Sequence, residues 1–352
     1  MNRGFMSTSV GTPIASAHST VSNPVETDRA PQEPRDHLTD SRTRLALTIQ
    51  GRIVAAAREY LAAHGFTELF PPIIGPVTDP GARGAKQVDV DYYGHRYKLM
   101  TSAILYKQAS LLTFDRIFYV APNVRLEPLE TADTSRHLAE FHQIDVEAAG
   151  ASRDEILDFA EGLVTHATRQ VMTAHADALA LLGRDELTLG HAAAGPFARM
   201  THAEAVHELR ESGHSQSPDA EISWANEVLL TRQRERPLFV TDYPKGSRGF
   251  YDRERRDAPG VLENFDLLLP EGYGELCSGS VREHEYARIV PRIRETGENP
   301  AKYAWYLRVL RDGIPSSAGF GIGVERFTRY VAGLDAVWQA SAFPKVPGVK
   351  AP

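Results

Sequence analysis

Arg125 and Glu127 sit two residues apart in the run Tyr119-V-A-P-N-V-R-L-E, so they project from one face of a strand-like segment while Val124 and Leu126 face the other way. After a polar loop the chain returns with the same alternation. Phe141, Gln143, Asp145 and Glu147 share one face, against Ile144, Val146 and Ala148 on the other. A hairpin that turns an arginine, carboxylates, an amide and an aromatic ring into one concavity is a poor core and a good seat for a charged ligand. The competing reading is an edge hairpin with a solvated salt-bridge face. A second stretch able to do chemistry begins at Gly319, G-F-G-I-G-V-E-R-F, in which alternate glycines lead into Glu325 and Arg326. Alternate glycines let something flat approach a strand closely, and the arginine beyond them can stack on it or meet phosphate. Spacing and element order both differ from the dinucleotide fingerprint.

These residues need elements to hold them. Leu47, Ile53, Ala57, Tyr60 and Leu61 predict a first helix closed by Gly65, and Phe66-T-E-L-F-P-P predicts a strand stopped at Pro71 and Pro72. Thr78 to Val90 is a polar, glycine-bearing loop, followed by a strand through Tyr97 into Ser102-A-I-L-Y-K-Q. On its own, Lys107 in that run reads as a surface lysine with a buried stem. Ile156, Phe159, Leu163, Ala167 and Val171 mark a long amphipathic helix within Ser152 to Leu182, and a second helical segment spans about Thr201 to Ser212. The region around 152–235 reads as a helical insertion that carries packing and no chemistry. Leu238-F-V-T-D-Y is a buried strand, Lys245-G-S-R-G-F-Y-D a loop, and Phe265-D-L-L-L-P-E-G-Y-G-E-L-C-S-G-S-V-R a strand, turn and strand. Helix and strand signals are thus mixed along the chain.

The 352 residues hold 42% hydrophobic side chains, enough for a sizeable core, and carry a formal charge of −7. That balance argues against a protein that grips nucleic acid mainly by electrostatics. One cysteine, Cys277, leaves no intrachain disulfide and fits a reducing cytoplasm. There is no 18-residue apolar stretch to span a membrane. Residues 1–40 are rich in Ser, Thr, Pro and Ala, lack an apolar segment of the signal-peptide kind, and read as a disordered tail ahead of one domain over 41–352. The thirteen histidines show no metal-ligand spacing.

V-R-L-E with R-H-L-x-E-F, and G-x-G-x-G-x-E-R later, resemble motifs 2 and 3 of the class II aminoacyl-tRNA synthetases, most closely the aspartyl and asparaginyl subgroup. The likeness runs from about Arg44 to Val349, and the first helix and strand are similar to motif 1, which implies a homodimer. The resemblance also implies the family's α+β fold, a six- or seven-stranded antiparallel sheet flanked by helices. What the resemblance implies for the site follows residue by residue. Arg125 contacts the α-phosphate of ATP, Phe141 and Arg326 sandwich the adenine, and Glu127 reads its amino group. Arg136 and His137 reach the distal phosphates. Asp266, Glu275 and Ser278 stand where the family holds Mg2+ against those phosphates, a set of hard oxygen donors. Asp145 meets the ammonium of the amino acid, beside Ser102. Lys107 neutralises a substrate carboxylate, and Arg282, seven residues after Glu275, grips one bidentately. Lys107 favours aspartate, since asparaginyl enzymes lack that lysine. The loop from Thr78 becomes a lid over the amino acid. Catalysis would be positioning and charge stabilisation by Arg125, Arg326 and Glu275, because the attacking carboxylate is already an anion.

The acceptor of the activated acyl group is the remaining expectation. About 40 polar residues precede the first helix, too few to fold into the anticodon-reading barrel of the tRNA enzymes. The chain therefore resembles a stand-alone paralogue of the catalytic domain, of the kind that adenylates aspartate and lets ammonia attack to give asparagine, with tRNA not expected as a partner. Ile104 stands where the tRNA enzymes carry a glutamine, and Leu269-P-E-G-Y-G-E is longer than in aspartyl enzymes. An apolar Ile104 favours a reversed pose, with the α-carboxylate on Lys107 and Arg282 and the β-carboxylate offered to ATP. A truncated tRNA synthetase, a ligase joining aspartate to another small amine, and a regulatory paralogue are the alternatives.

Overall fold

The computed structural model describes residues 33–80 and 84–351. Most of the predicted tail lies outside the described residues. Its last part does not fit that description, because helix α1 (Pro34–Thr39) forms there and His37 buries its ring, bonding the Ser341 carbonyl at 2.7 Å. Asp40 then caps α2 (Ser41–Ala63) by accepting the Thr43 N–H, and Ala46, Ile49, Ile53, Ala57 and Leu61 make its buried stripe. Of the next predicted strand, Thr67–Glu68 forms β1 and the Leu69 N–H still bonds the Phe118 carbonyl at 3.0 Å, before Pro71 and Pro72, which have no N–H to give a ladder. Strands β2 (Ile74–Gly75), β3 (Asp89–Tyr92) and β4 (His95–Leu99) form a small side sheet in the order β2-β4-β3. Part of the predicted lid, residues 81–83, lies outside the described residues, while its start is anchored where the Thr78 side chain bonds Thr101.

Helix α3 (Ile104–Ser110) leads to the central hairpin, β5 (Arg116–Val124) and β6 (Glu140–Ala149). After it come α4 (Arg153–Ala174), α5 (Ala176–Leu181), α6 (Glu186–Ala194), β7 (Ala198–Thr201), α7 (His202–Glu211) and α8 (Trp224–Thr231). The chain closes with β8 (Leu238–Thr241), β9 (Asn264–Leu269), β10 (Gly274–Val281), α9 (Tyr286–Glu295), α10 (Ala304–Asp312), β11 (Ser317–Gly323) and α11 (Val324–Val331). Eight strands form the main sheet, ordered β1-β5-β6-β11-β10-β9-β8-β7. The antiparallel expectation holds for its centre. β1 and β7 add short parallel pairs at the two edges, each too brief to show a period in the sequence.

One face of the sheet, with Phe118, Ile144, Val146, Ala148, Leu267, Cys277, Phe320 and Ile322, packs on α2, α4 and α11 to make the main core. Helix α4 is thus integral to the core, in keeping with the packing expected of the stretch around 152–235, and that stretch also supplies a strand, β7, to the sheet. The other face carries the chemistry. On β10 a bulge between Glu275 and Cys277 sets two residues against one on β9. Glu275 and Ser278, an odd number apart, therefore turn to the same side. Among the described residues no helix is long and apolar enough to cross a membrane.

Candidate active site

A cavity of about 780 Å³ opens on the face of the sheet away from α2 and α4, within the size range of ligand pockets. Its floor follows the predicted alternation: Phe141, Gln143 and Asp145 line it while Ile144, Val146 and Ala148 go to the core. Ser102, Lys107, Arg125, Glu127, Arg136, His137, Glu275, Ser278, Arg282 and Arg326 also line the cavity. Asp266 does not. Gly321 and Gly323 of β11 line the cavity as well, and the alternate glycines have a second use. Gly319 faces Glu147 and Gly321 faces Asp145 across the β6–β11 ladder. A Cβ at 319 would collide with the Glu147 carboxylate, and one at 321 would lie 2.7 Å from Asp145 Oδ1. The missing side chains make room for the protein's own carboxylates beneath the pocket.

Those carboxylates anchor a buried charge network at one end. Lys107 is 2% exposed, where its spacing alone suggested a surface lysine; its Nζ lies 3.1 Å from Asp145 Oδ1 and 3.7 Å from Glu147 Oε2. Arg282 donates from Nε and Nη2 to Glu147 at 3.1 and 3.2 Å, and from Nη1 to Ser280 Oγ at 2.7 Å. Ser317 Oγ donates to Glu147 as well, at 2.8 Å. Burial works against the charge on Arg282, yet Glu147 and Asp252 hold its pKa above the ordinary value. For Asp252, 3.5 Å from Arg282, burial wins and the carboxyl is pushed up. Asp145 Oδ2 is buried without a hydrogen-bond partner, a vacancy suited to an ammonium. Ile104, 3% exposed, lines the wall and packs with Phe250 and Ile289, which keeps that patch apolar.

The other end is wetter and is built from strand ends and loops. Arg125 donates Nε to the Thr101 carbonyl at 2.9 Å, with its guanidinium 5.1 Å from the centre of the Phe141 ring. Arg326 pairs with Glu275 at 3.4 Å and also donates to the carbonyls of Glu275 and Arg136. His137 shares a 2.5 Å hydrogen bond with Thr134 and packs on Trp224, ring centres 4.5 Å apart. Glu325 accepts from both the backbone N–H and the ring of His142, fixing the start of β6. Trp224 and Glu227 on α8, with Glu221 just before it, were missed from the sequence. The available signal was Glu227 itself, an acid on the buried i, i+3, i+4 stripe with Leu230 and Thr231.

Glu275 and Ser278 offer hard oxygens at the cavity wall, a donor set suited to Mg2+ alongside phosphate oxygens. Asp266 is the exception in the predicted metal set. It sits opposite Ser278 across β9 and β10, 1% exposed, with its Oδ2 2.5 Å from Arg248. Burial pushes its carboxyl up to about 6, against the pull of the Arg248 charge. Arg248 also donates to Ser278 Oγ at 3.2 Å, pairs with Glu221 and stacks on Tyr243. Arg248 thus occupies one oxygen of the Asp266 carboxylate, while the other, Oδ1, is buried with no hydrogen-bond partner. Among the described residues no group of three or more His, Cys, Asp or Glu is arranged for a metal.

The family described as tRNA synthetases class II (D, K and N) matches residues 32–347. The asparagine–tRNA ligase of Thermococcus kodakarensis is 33% identical over 311 residues, covering 88% of this chain and 71% of the relative. That of Pyrococcus abyssi is 33% identical over 317 residues, covering 88% of this chain and 70% of the relative. Asparaginyl-tRNA synthetase from Pyrococcus horikoshii, solved with asparaginyl-adenylate, superposes with a TM-score of 0.84 at 31% identity, over 91% of this chain and 72% of that one. Aspartyl tRNA synthetase from Entamoeba histolytica superposes with a TM-score of 0.76 at 25% identity, over 96% of this chain and 65% of that one. These findings overturn the expectation that tRNA is not a partner, because the relatives alike over most of this chain are themselves tRNA ligases.

Proposed function

The chain belongs to the class II tRNA synthetases of the D, K and N group, and from that premise we propose that the amino acid it activates is aspartate. It is a ligase that activates an amino acid. A carboxylate oxygen of aspartate attacks the α-phosphorus of ATP, the bond to the β-phosphate breaks, and pyrophosphate leaves an aspartyl-adenylate. Arg125 meets the charge that develops at the α-phosphate, and Arg326, held by Glu275, flanks the same region. Mg2+, when bound with ATP at Glu275 and Ser278, neutralises phosphate charge. The observation that carries the choice of aspartate is the pair of buried cations, Lys107 and Arg282, fixed at one end of the cavity. Both cations already pair with carboxylates of the protein, Lys107 with Asp145 and Arg282 with Glu147; a substrate carboxylate adds a further charge partner to each, which a neutral amide does not. Asp145 Oδ2 is free to accept from the substrate ammonium.

Two readings of the acceptor rest on separate observations. Ammonia as the attacking amine, giving asparagine and AMP, is supported by the apolar wall at Ile104, which favours the pose that exposes the β-carboxylate. The terminal ribose of a tRNA is supported by the names of the relatives. Incubation with ATP, Mg2+ and aspartate, plus either ammonium or tRNA, separates them. Free asparagine formed with AMP selects the first, and aspartate esterified to tRNA selects the second. The absence of AMP in both would refute aspartate activation.

A further inference from the structure

Glu227 is 1% exposed, on a helix whose sequence suggested packing alone. A carboxylate at that depth persists only when its charge is met. Its Oε2 lies 2.8 Å from Arg136 Nη1 and accepts the Glu275 N–H at 3.0 Å. One group thus ties the arginine at the cavity wall to the backbone of the acid at the start of β10. Gly274 makes the arrangement possible. Its φ is +70°, and a Cβ there would stand 2.7 Å from Arg136 Nη1 and 3.0 Å from Glu227 Oε2, so the ion pair lies flat against the backbone. Nη1 meets Glu227 by charge without an aligned hydrogen bond, Nε is buried with no acceptor in the protein, and the remaining contact of the guanidinium, Nη2 to the Glu275 carbonyl, is long at 3.4 Å. Arg136 is therefore held from behind by an ion pair, and its weakly bonded Nη2 is the donor left for an anion in the cavity it lines. Nearly one turn earlier on the same helix, Trp224 packs on His137, the neighbour of Arg136.

We propose that Glu227 is a positioning residue for the outer phosphates of ATP. It fixes the direction of the Arg136 guanidinium and, through the Glu275 amide, the end of β10 that carries the Glu275 carboxylate. The proposal rests on the nucleotide reading above and does not depend on which amino acid or acceptor is used. It makes a distinction that a merely structural role would not. AMP carries only the phosphate met by Arg125, whereas ATP also carries the phosphates that Arg136 would hold, so losing Glu227 weakens ATP selectively.

The experiment is calorimetric titration of the full chain with Mg-ATP and, separately, AMP, for wild type, Glu227→Gln and Arg136→Lys. Glutamine keeps an acceptor for the Glu275 amide and removes the charge behind Arg136. Lysine keeps a cation over Glu227, so this second variant tests the pair even if the first folds poorly. The expected result is an ATP dissociation constant raised about tenfold in each variant with that of AMP unchanged. Pyrophosphate exchange should show the same change in KM for ATP, with a smaller change in kcat. Equal weakening of ATP and AMP, or no change in either, overturns the proposal while leaving the nucleotide reading intact. A wild-type protein that binds ATP no better than AMP overturns both.

Discussion

At the inner end of the cavity Lys107, Asp145, Glu147, Asp252 and Arg282 are each no more than 6% exposed and meet one another's charges within the protein. At the outer end the Arg326 and Glu275 side chains keep 24% and 17% exposure, and α8 supports their surroundings from behind. The two ends carry similar residue types under different physics. Inside, desolvation has already occurred on folding, so geometry is fixed before substrate arrives and every charge is also a stability element. Outside, water shares the charges of Arg326 and Glu275, while the Arg136–Glu227 pair behind them is as buried as the inner network, so the exposed pair is the one expected to act on the reaction more than on the fold.

The contrast can be broken most forcefully at Glu147. Glu147→Ala leaves Lys107, Arg282 and Ser317 without their shared partner, and the expected loss is about 3–5 kcal/mol of unfolding free energy in urea titrations. A loss well below 1 kcal/mol would show that the inner network does not hold the fold. Arg125→Ala is the outer counterpart. The rate of pyrophosphate exchange should fall about 10²–10³-fold, while the urea midpoint stays near that of wild type. A variant that lost stability and activity together would erase the distinction between the ends. Lys107→Met sharpens it at the substrate. Removing one charged hydrogen-bond partner, worth roughly 1.5–3 kcal/mol, should lower kcat/KM for aspartate relative to asparagine on the order of 10–100-fold.

The smallest effect belongs to the His142–Glu325 pair beside the outer end. The hydrogen bond to Glu325 raises the His142 pKa in the folded protein, against partial burial that lowers it. The pair therefore stabilises fully at pH below the ordinary histidine value of about 6.5 and is lost as pH rises through the raised value. With the imidazole 48% exposed, the gain is no more than about 1 kcal/mol. Urea stability at pH 5.5 minus that at pH 8.5 should be larger in wild type than in His142→Gln.

Legibility followed the same division. The hairpin of Arg125 to Glu147 and the strand of Gly319 to Gly323 were readable because a period of two assigns faces without knowledge of neighbours. What the β11 glycines accommodate was not readable, since it depends on register with β6. The β10 bulge had to be seen, because counting residues from Glu275 to Ser278 puts them on opposite faces. That Asp266, predicted beside the metal, would also face Arg248, from a loop eighteen residues earlier, was not readable either. Glu227 and Trp224 escaped notice because their partners, Arg136 and His137, are remote in sequence and meet them only through the tertiary fold. Paired burial of distant charges leaves no period behind.

The central claim is that the cavity joins aspartate to the α-phosphate of ATP. Exchange of labelled pyrophosphate into ATP, run with aspartate and with asparagine in turn, tests it most directly. The account predicts exchange driven by aspartate, much weaker with asparagine, and suppressed in Arg125→Ala. Exchange with asparagine alone, or none with aspartate, would contradict it.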